Sequence, residues 1–234
     1  MELDISVVIP VYNEAQNISS LHTEIIKTLN TITSSYEVIY VDDGSTDNTR
    51  DILEKLPKAR PIYLPKNLGQ SIAFTKGFDA AKGTLVISLD GDGQNDPKDI
   101  PLLINTLKTS DVDVVSGWRK QRKDPVHITL ISFCGRILRK IFFNDSIHDA
   151  GCSLRVYKQK TIKGLDLKGK KHSYLLLILR SRGYTIREVE VNHRPRVHGE
   201  SKYNAGKIFP GLVELLRLRM SGIYNETHER TERK

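Results

Sequence analysis

Ile5-Ser6-Val7-Val8-Ile9 is a short β-branched run that stops at Pro10, and behind it Ile18, Leu21, Ile25, Leu29 and Ile32 recur at helical spacing. A strand followed by an amphipathic helix is the unit from which parallel sheets are built. The unit repeats outward: Tyr36 to Val41 with a helix from about Thr46 to Leu56, Pro61 to Leu64 with a helix from about Gln70 to Ala81, Thr84 to Leu89 with a helix opening at Pro97, then Val112 to Val115. The alternation predicts an α/β fold on a parallel sheet. Ligands of such sheets bind beyond the carboxyl ends of the strands, so chemistry is expected there.

After Ser116 the rhythm changes. A basic loop with Arg119, Lys120, Arg122 and Lys123 leads into an amphipathic stretch from Val126 to Phe143. A strand from Cys152 to Tyr157, a helix from Lys170 to Arg182, a strand from Thr185 to Val191, a polar loop to Asn204 and a helix from Lys207 to about Met220 follow. Asn225 to Lys234 is almost wholly polar and is expected to be disordered. No repeat or linker divides the chain, so residues 1–224 are expected to form one domain with halves 1–117 and 118–224.

The 234 residues carry 36 Lys+Arg against 28 Asp+Glu, net +8, with 38% hydrophobic residues. That supplies one ordinary core and excludes disordered, collagen-like and disulfide-scaffold classes. The longest uncharged apolar runs, Ile128 to Cys134 and Tyr174 to Leu179, fall short of the ~20 residues that a membrane-spanning helix needs. Met1 to Asp4 does not read as a secretion signal, and two cysteines, Cys134 and Cys152, fit a reduced cytoplasmic setting. The charge is unevenly placed: residues 1–117 hold 10 Lys+Arg and 17 Asp+Glu, residues 118–234 hold 26 and 11. An acidic half that holds a divalent metal beside a basic half that holds an anion gives this pattern, and so does a nucleic-acid-binding tail.

Three strand ends carry acidic or loop-forming clusters: Pro10-Val11-Tyr12-Asn13-Glu14, Asp42-Asp43-Gly44-Ser45-Thr46-Asp47 and Asp90-Gly91-Asp92-Gly93-Gln94. Turns and helix caps use the same residue types, and Asp47 and Asn48 read equally well as caps. Asp90 and Asp92 are harder to explain structurally. Two carboxylates one residue apart at the end of the apolar strand Leu85 to Leu89 repel each other unless a cation lies beside them. Hard oxygen ligands favour Mg²⁺ or Mn²⁺. Gln94, Asn95 and Pro101 stand where an EF-hand needs Asp or Asn, Gly and Glu, and no GxxxxGK[ST] or first-strand GxGxxG phosphate loop is present.

These segments, with Asn67-Leu68-Gly69 and the extension Asn95-Asp96-Pro97, resemble the successive motifs of family-2 glycosyltransferases. Ser116-Gly117-Trp118-Arg119, Arg122-Lys123-Asp124-Pro125, Asp149 to Tyr157 and His193 to Tyr203 are similar to the polyprenyl-phosphate branch of that family, which includes dolichyl-phosphate mannosyltransferases. The resemblance covers roughly residues 4–205. It implies a GT-A fold, a Rossmann-like three-layer sandwich with a mostly parallel central sheet. It implies that Pro10, Tyr12 and Glu14, with Asp42 or Asp43, contact the base and ribose of a nucleotide sugar, and that Asp90, Asp92 and Gln94 hold the metal on its diphosphate. Arg196, Ser201 and Lys202 would close over the diphosphate. Arg119 would meet the acceptor phosphate, with Ser132 and Arg155 as further candidates, and Asp149 would lie close to the reacting centre. The chain departs from the pattern in two places, with His127-Ile128-Thr129-Leu130-Ile131-Ser132 lacking the usual basic residue and Leu154 standing for an aromatic one.

The implied reaction is an inverting transfer from a UDP- or GDP-linked sugar to a polyprenyl phosphate. Metal and Arg/Lys groups suit the negative charge that develops on a leaving diphosphate. A phosphate acceptor is already ionised, so a general base has little to add, whereas a glycan hydroxyl acceptor would need one, with Asp149 the candidate. No nucleic-acid partner is expected, because the basic residues are not interleaved with exposed aromatics in a reading motif. The segment Val126 to Phe143 pairs apolar residues with Arg136, Arg139 and Lys140 as an interfacial helix does, and Leu212 to Arg219 is a second candidate. A peripheral enzyme on the cytoplasmic face of a membrane is expected, with a membrane partner protein as a possible aid.

Overall fold

The computed structural model describes residues 3–120, 126–167, 169 and 171–196, the side chains of 126–134 excepted. The chain runs β1 (Ile5–Val11), α1 (Ala15–Leu29), β2 (Tyr36–Asp42), α2 (Thr49–Leu53), β3 (Ala59–Tyr63), α3 (Gln70–Ala80), β4 (Leu85–Ser88), a 3-10 turn (Pro97–Asp99), α4 (Ile100–Thr109) and β5 (Val114–Trp118). Then come α5 (Val126–Phe143), β6 (Arg155–Lys158), α6 (Gln159–Ile162), a second 3-10 turn (Lys171–Tyr174), α7 (Leu175–Ser181) and β7 (Ile186–Glu190). The helix expected from Lys207 to Met220 and the polar tail lie outside the described residues.

Seven strands form one sheet in the order β3-β2-β1-β4-β6-β5-β7. β1 to β4 are parallel, β6 runs antiparallel between β4 and β5, and β7 is parallel to β5. β1 is buried along its whole length because helices cover both faces of the sheet. Alternation along the strands then sorts the core in two. Val8, Val41 and Val86 pack with Phe74 and Phe78 of α3 and Leu176 to Leu179 of α7. Val7, Ile9 and Ile87 pack with Ile18, Leu21 and Ile25 of α1 and Leu103 and Ile104 of α4. The expected three-layer sandwich is the result.

Two boundaries move in ways that matter to function. The helix expected from Thr46 begins at Thr49, because Ser45, Thr46 and Asp47 bond across to the loop after β1: Asn13 N–H donates to Ser45 Oγ (2.9 Å), Thr46 N–H to Asn13 Oδ1 (2.8 Å) and Ala15 N–H to Asp47 Oδ2 (3.3 Å). β5 outlasts Val115 and reaches Trp118, since its ladder to β7 continues through Gly117 and Trp118, and Arg119 therefore leaves directly from a strand end. α6 is a single turn too short for periodicity to reveal.

Candidate active site

The loops after β1, β2 and β4 meet at one end of the sheet. Asp42 is fully buried, accepting from Arg50 Nε at 2.6 Å and from Ser45 N–H at 3.1 Å. Asp43 accepts Leu68 N–H (2.7 Å) and Gly69 N–H (2.9 Å) on its two oxygens. Burial, with the charge of Asp42 beside it, holds the Asp43 carboxyl above its ordinary value, although those two N–H groups pull against the rise. Gly44 has φ +76°, and a Cβ there would stand 2.4 Å from the Lys66 carbonyl carbon, so the β2 loop requires glycine. β1 continues through Pro10, where the sequence suggests a stop, to Val11, Tyr12 follows it, and Glu14 accepts from Asn17 Nδ2 (2.7 Å) while its N–H donates to Thr49 Oγ1 (2.9 Å).

In the Asp90-Gly91-Asp92 loop, Asp90 accepts from Gln70 Nε2 (2.7 Å), and its N–H donates to Ser153 Oγ (3.1 Å). Burial, reinforced by the charge of Asp92, pushes its carboxyl up to about 6, against the pull of Arg119 and Arg155. Asp92 accepts Gln94 N–H (3.1 Å) and Arg196 Nη2 (2.6 Å), and Arg196 also reaches Gln94 Oε1 at 3.4 Å. A cation thus already stands against two of the three oxygen donors expected to hold a metal. Among the described residues no three His, Cys, Asp or Glu side chains group into a metal site. The residues nonetheless fit a hard divalent ion that takes two carboxylates and an amide oxygen from protein and the rest from water or ligand oxygens. Gly91 has its own reason: a Cβ would meet Val11 Cγ1 at 2.7 Å.

Arg196 is delivered by the segment after β7. Asn192 donates twice to Asp99, Arg194 N–H donates to Gln94 C=O (2.9 Å), and the Arg194 guanidinium pairs with Glu24 (2.7 Å) and Asp96 (2.5 Å). Arg194 is used as this tether.

Beside the acidic loop lies a buried basic cluster. Arg119 forks onto Asp149 through Nε (2.7 Å) and Nη2 (2.9 Å), and its own N–H adds a third bond (3.1 Å). Burial alone would lower the Arg119 pKa, but these bonds hold it above its ordinary value. Gly151 leaves the guanidinium room, since a Cβ there would approach Nη2 to 3.2 Å. Arg155, 5% exposed on β6, donates to Ala150 C=O (2.6 Å), while its Nε is buried with no hydrogen-bond partner among the described residues. Cys152 lies between these cations, and burial pushes its thiol up to about 11, which removes it as a nucleophile. Ser132, Ser201, Lys202 and Arg122 lie outside the residues whose side chains are described. Sequence reasoning passed over Gln70 and Arg50. Gln70 directly follows the quoted Asn67-Leu68-Gly69 motif, whereas nothing local marks Arg50.

The sheet, with acidic loops after its first strands and a basic cluster at the end of β5 and the start of antiparallel β6, is that of a GT-A glycosyltransferase. Glucosyl-3-phosphoglycerate synthase from Mycobacterium tuberculosis, in complex with Mn²⁺, uridine diphosphate and phosphoglyceric acid, superposes with a TM-score of 0.75 at 20% identity, over 93% of this chain and 78% of that one. Mannosyl-3-phosphoglycerate synthase from Rubrobacter xylanophilus gives 0.73 at 17%, over 94% and 75%. The chain belongs to glycosyl transferase family 2, which it matches over residues 6–165. It is 36% identical to a dodecaprenyl-phosphate galacturonate synthase of Rhizobium johnstonii over 225 residues, 92% of this chain. It is 34% identical to an undecaprenyl-phosphate 4-deoxy-4-formamido-L-arabinose transferase of Edwardsiella ictaluri over 218 residues, 91% of this chain. It spans 66% of the length of each of these two relatives.

Proposed function

We propose that the chain transfers a sugar, with inversion, from a UDP- or GDP-linked donor to a polyprenyl phosphate. The observation that carries this reading is that Arg119 and Arg155, from the basic half, act through their charge on Asp90 of the acidic loop, with Arg155 opposite Ser88 at the end of β4, an arrangement that suits two anions side by side. The names of the relatives support the acceptor class. Asp90, Asp92 and Gln94 would hold Mg²⁺ or Mn²⁺, which neutralises charge on the departing diphosphate. Arg196 and Lys202 contribute positive charge to the same diphosphate, and Ser201 a hydroxyl donor. Pro10, Tyr12 and Glu14 border the nucleoside, and Asp42 and Asp43 shape the loops around it. Arg119, with three of its five N–H groups left over from the Asp149 fork, faces the acceptor phosphate, with Arg155 and Ser132 beside it.

The state of Asp149 favours a phosphate acceptor over a glycan hydroxyl. Both its oxygens accept from Arg119, so it is poorly placed to remove a proton, and an ionised phosphate needs no such base. Purified protein given radiolabelled UDP- or GDP-sugar, Mn²⁺ and a short-chain polyprenyl phosphate is expected to label the lipid. Labelling of free glycans alone would overturn the reading.

No helix among the described residues is long and apolar enough to cross a membrane. The exposed side of α5 carries Ile137, Ile141 and Phe142 beside Arg136 and Lys140, whereas Leu138 and Phe143 face the core. This face suits adsorption to an anionic leaflet on the cytoplasmic side. Vesicle co-sedimentation that does not change with anionic lipid or salt would count against it. A membrane partner protein is not required by this reading.

A further inference from the structure

β7 is the edge strand of the sheet among the described residues, yet Glu188 in its middle has only 9% of its side chain exposed. A carboxylate so placed needs donors. They come from the segment between α5 and β6: Oε2 accepts His148 N–H (2.8 Å) and His148 Nδ1 (2.9 Å), and Oε1 accepts Asp149 N–H (2.9 Å). One side chain thus grips two successive peptide groups and fixes the backbone of Asp149. The Asp149 carboxylate in turn grips Arg119 by its backbone N–H and two sides of its guanidinium. Trp118, immediately before Arg119, stacks on the His148 ring at 4.6 Å between centroids and 22° between planes, closing the circuit on its other side.

From this chain of contacts we infer that Glu188 is a positioning residue for Arg119. It aims the guanidinium without touching substrate, and the inference rests on the reading of Arg119 as the group that meets the acceptor phosphate. A guanidinium binds phosphate through N–H groups in a fixed fork, so its direction matters as much as its charge. Asp149 sets that direction, and Asp149 is held by a residue on a strand that the motif spacing does not connect with either one.

Glu188→Gln keeps the size of the side chain but turns one arm into a donor that faces an N–H. Losing a charged hydrogen bond of this kind is expected to raise the KM for a short-chain polyprenyl phosphate about tenfold or more, with nucleotide-sugar affinity within about twofold. Combined with Arg119→Lys, it is expected to add little to the defect of Arg119→Lys alone, because both act through one group. Additive effects, or a parallel fall in donor affinity and melting temperature, would make Glu188 a structural staple and overturn the inference, as would an unchanged acceptor KM. If Glu188→Gln does not fold, Glu188→Asp enters the same cycle, and failure of both to fold equally assigns a structural role. An Arg119→Lys variant with normal acceptor KM would instead refute the reading of Arg119 on which the inference stands.

Discussion

Asp42-Asp43 at the end of β2 and Asp90-Gly91-Asp92 at the end of β4 look alike as sequence and differ in what surrounds them. The first pair is enclosed by donors of its own neighbourhood: Arg50, Ser45 N–H, Leu68 N–H and Gly69 N–H. The second pair has Gln70, Ser153 and Gln94 N–H, keeps one carboxyl raised to about 6, and draws Arg196 from the far end of the described chain. A carboxylate saturated from within shapes a loop, and one kept raised by burial and a like charge is available to a cation from outside.

The contrast can be broken at either pair. Asp92→Ala is expected to lower turnover by roughly 10²–10³-fold or more while the melting temperature stays near wild type, because a group that stabilises leaving-group charge is lost and no packing is. Normal turnover would remove Asp92 from the metal assignment. Asp42→Ala is expected to do the reverse, costing about 1–3 kcal/mol of stability by leaving buried donors unmatched. Urea unfolding measures this, and a cost near zero would show that Arg50 and Ser45 do not depend on the carboxylate.

Asp90→Asn sharpens the comparison through pH. The folded-state pKa of Asp90 is raised, so its contribution to stability is fully present below about 3.8 and is lost as pH rises through about 6. The asparagine variant lacks that loss. In metal-free buffer its melting temperature, relative to wild type, is expected to rise between pH 4 and pH 6.5 by about 2–4 °C per kcal/mol of relieved repulsion. A difference that stays flat with pH would mean that Asp90 is not strained. The smallest effect is expected at the surface: Ile141→Asp on α5 should weaken co-sedimentation with anionic vesicles severalfold and leave turnover of a soluble short-chain acceptor unchanged.

Much of this molecule is local and hence readable. β1 and α1 follow from β-branched alternation and helical spacing, and the acidic strand ends mark where a ligand is expected. What was not readable depends on partners distant in sequence. β5 extends to Trp118 because Val189 and Glu190 continue its ladder, about 70 residues later. Asp47, read equally as a cap or as a site residue, accepts from Thr49 N–H of α2 and from Ala15 N–H of α1, so it joins two loops as well as capping. Arg50 lies only eight residues from Asp42 but nothing in the spacing marks it as the partner, and no window around Asp149 reveals that Arg119 occupies both its oxygens.

The antiparallel strand β6 has a consequence for synthesis. β5 reaches β4 only across β6, and β7 guards its other side, so when Trp118 leaves the ribosome β5 has no partner on either edge. Some 36 residues separate it from Arg155, the start of β6, a delay on the order of 2–7 s at ordinary elongation rates. During that interval a Val-Val strand waits without its neighbours in the sheet, and an unpaired strand edge is a template for wrong pairing.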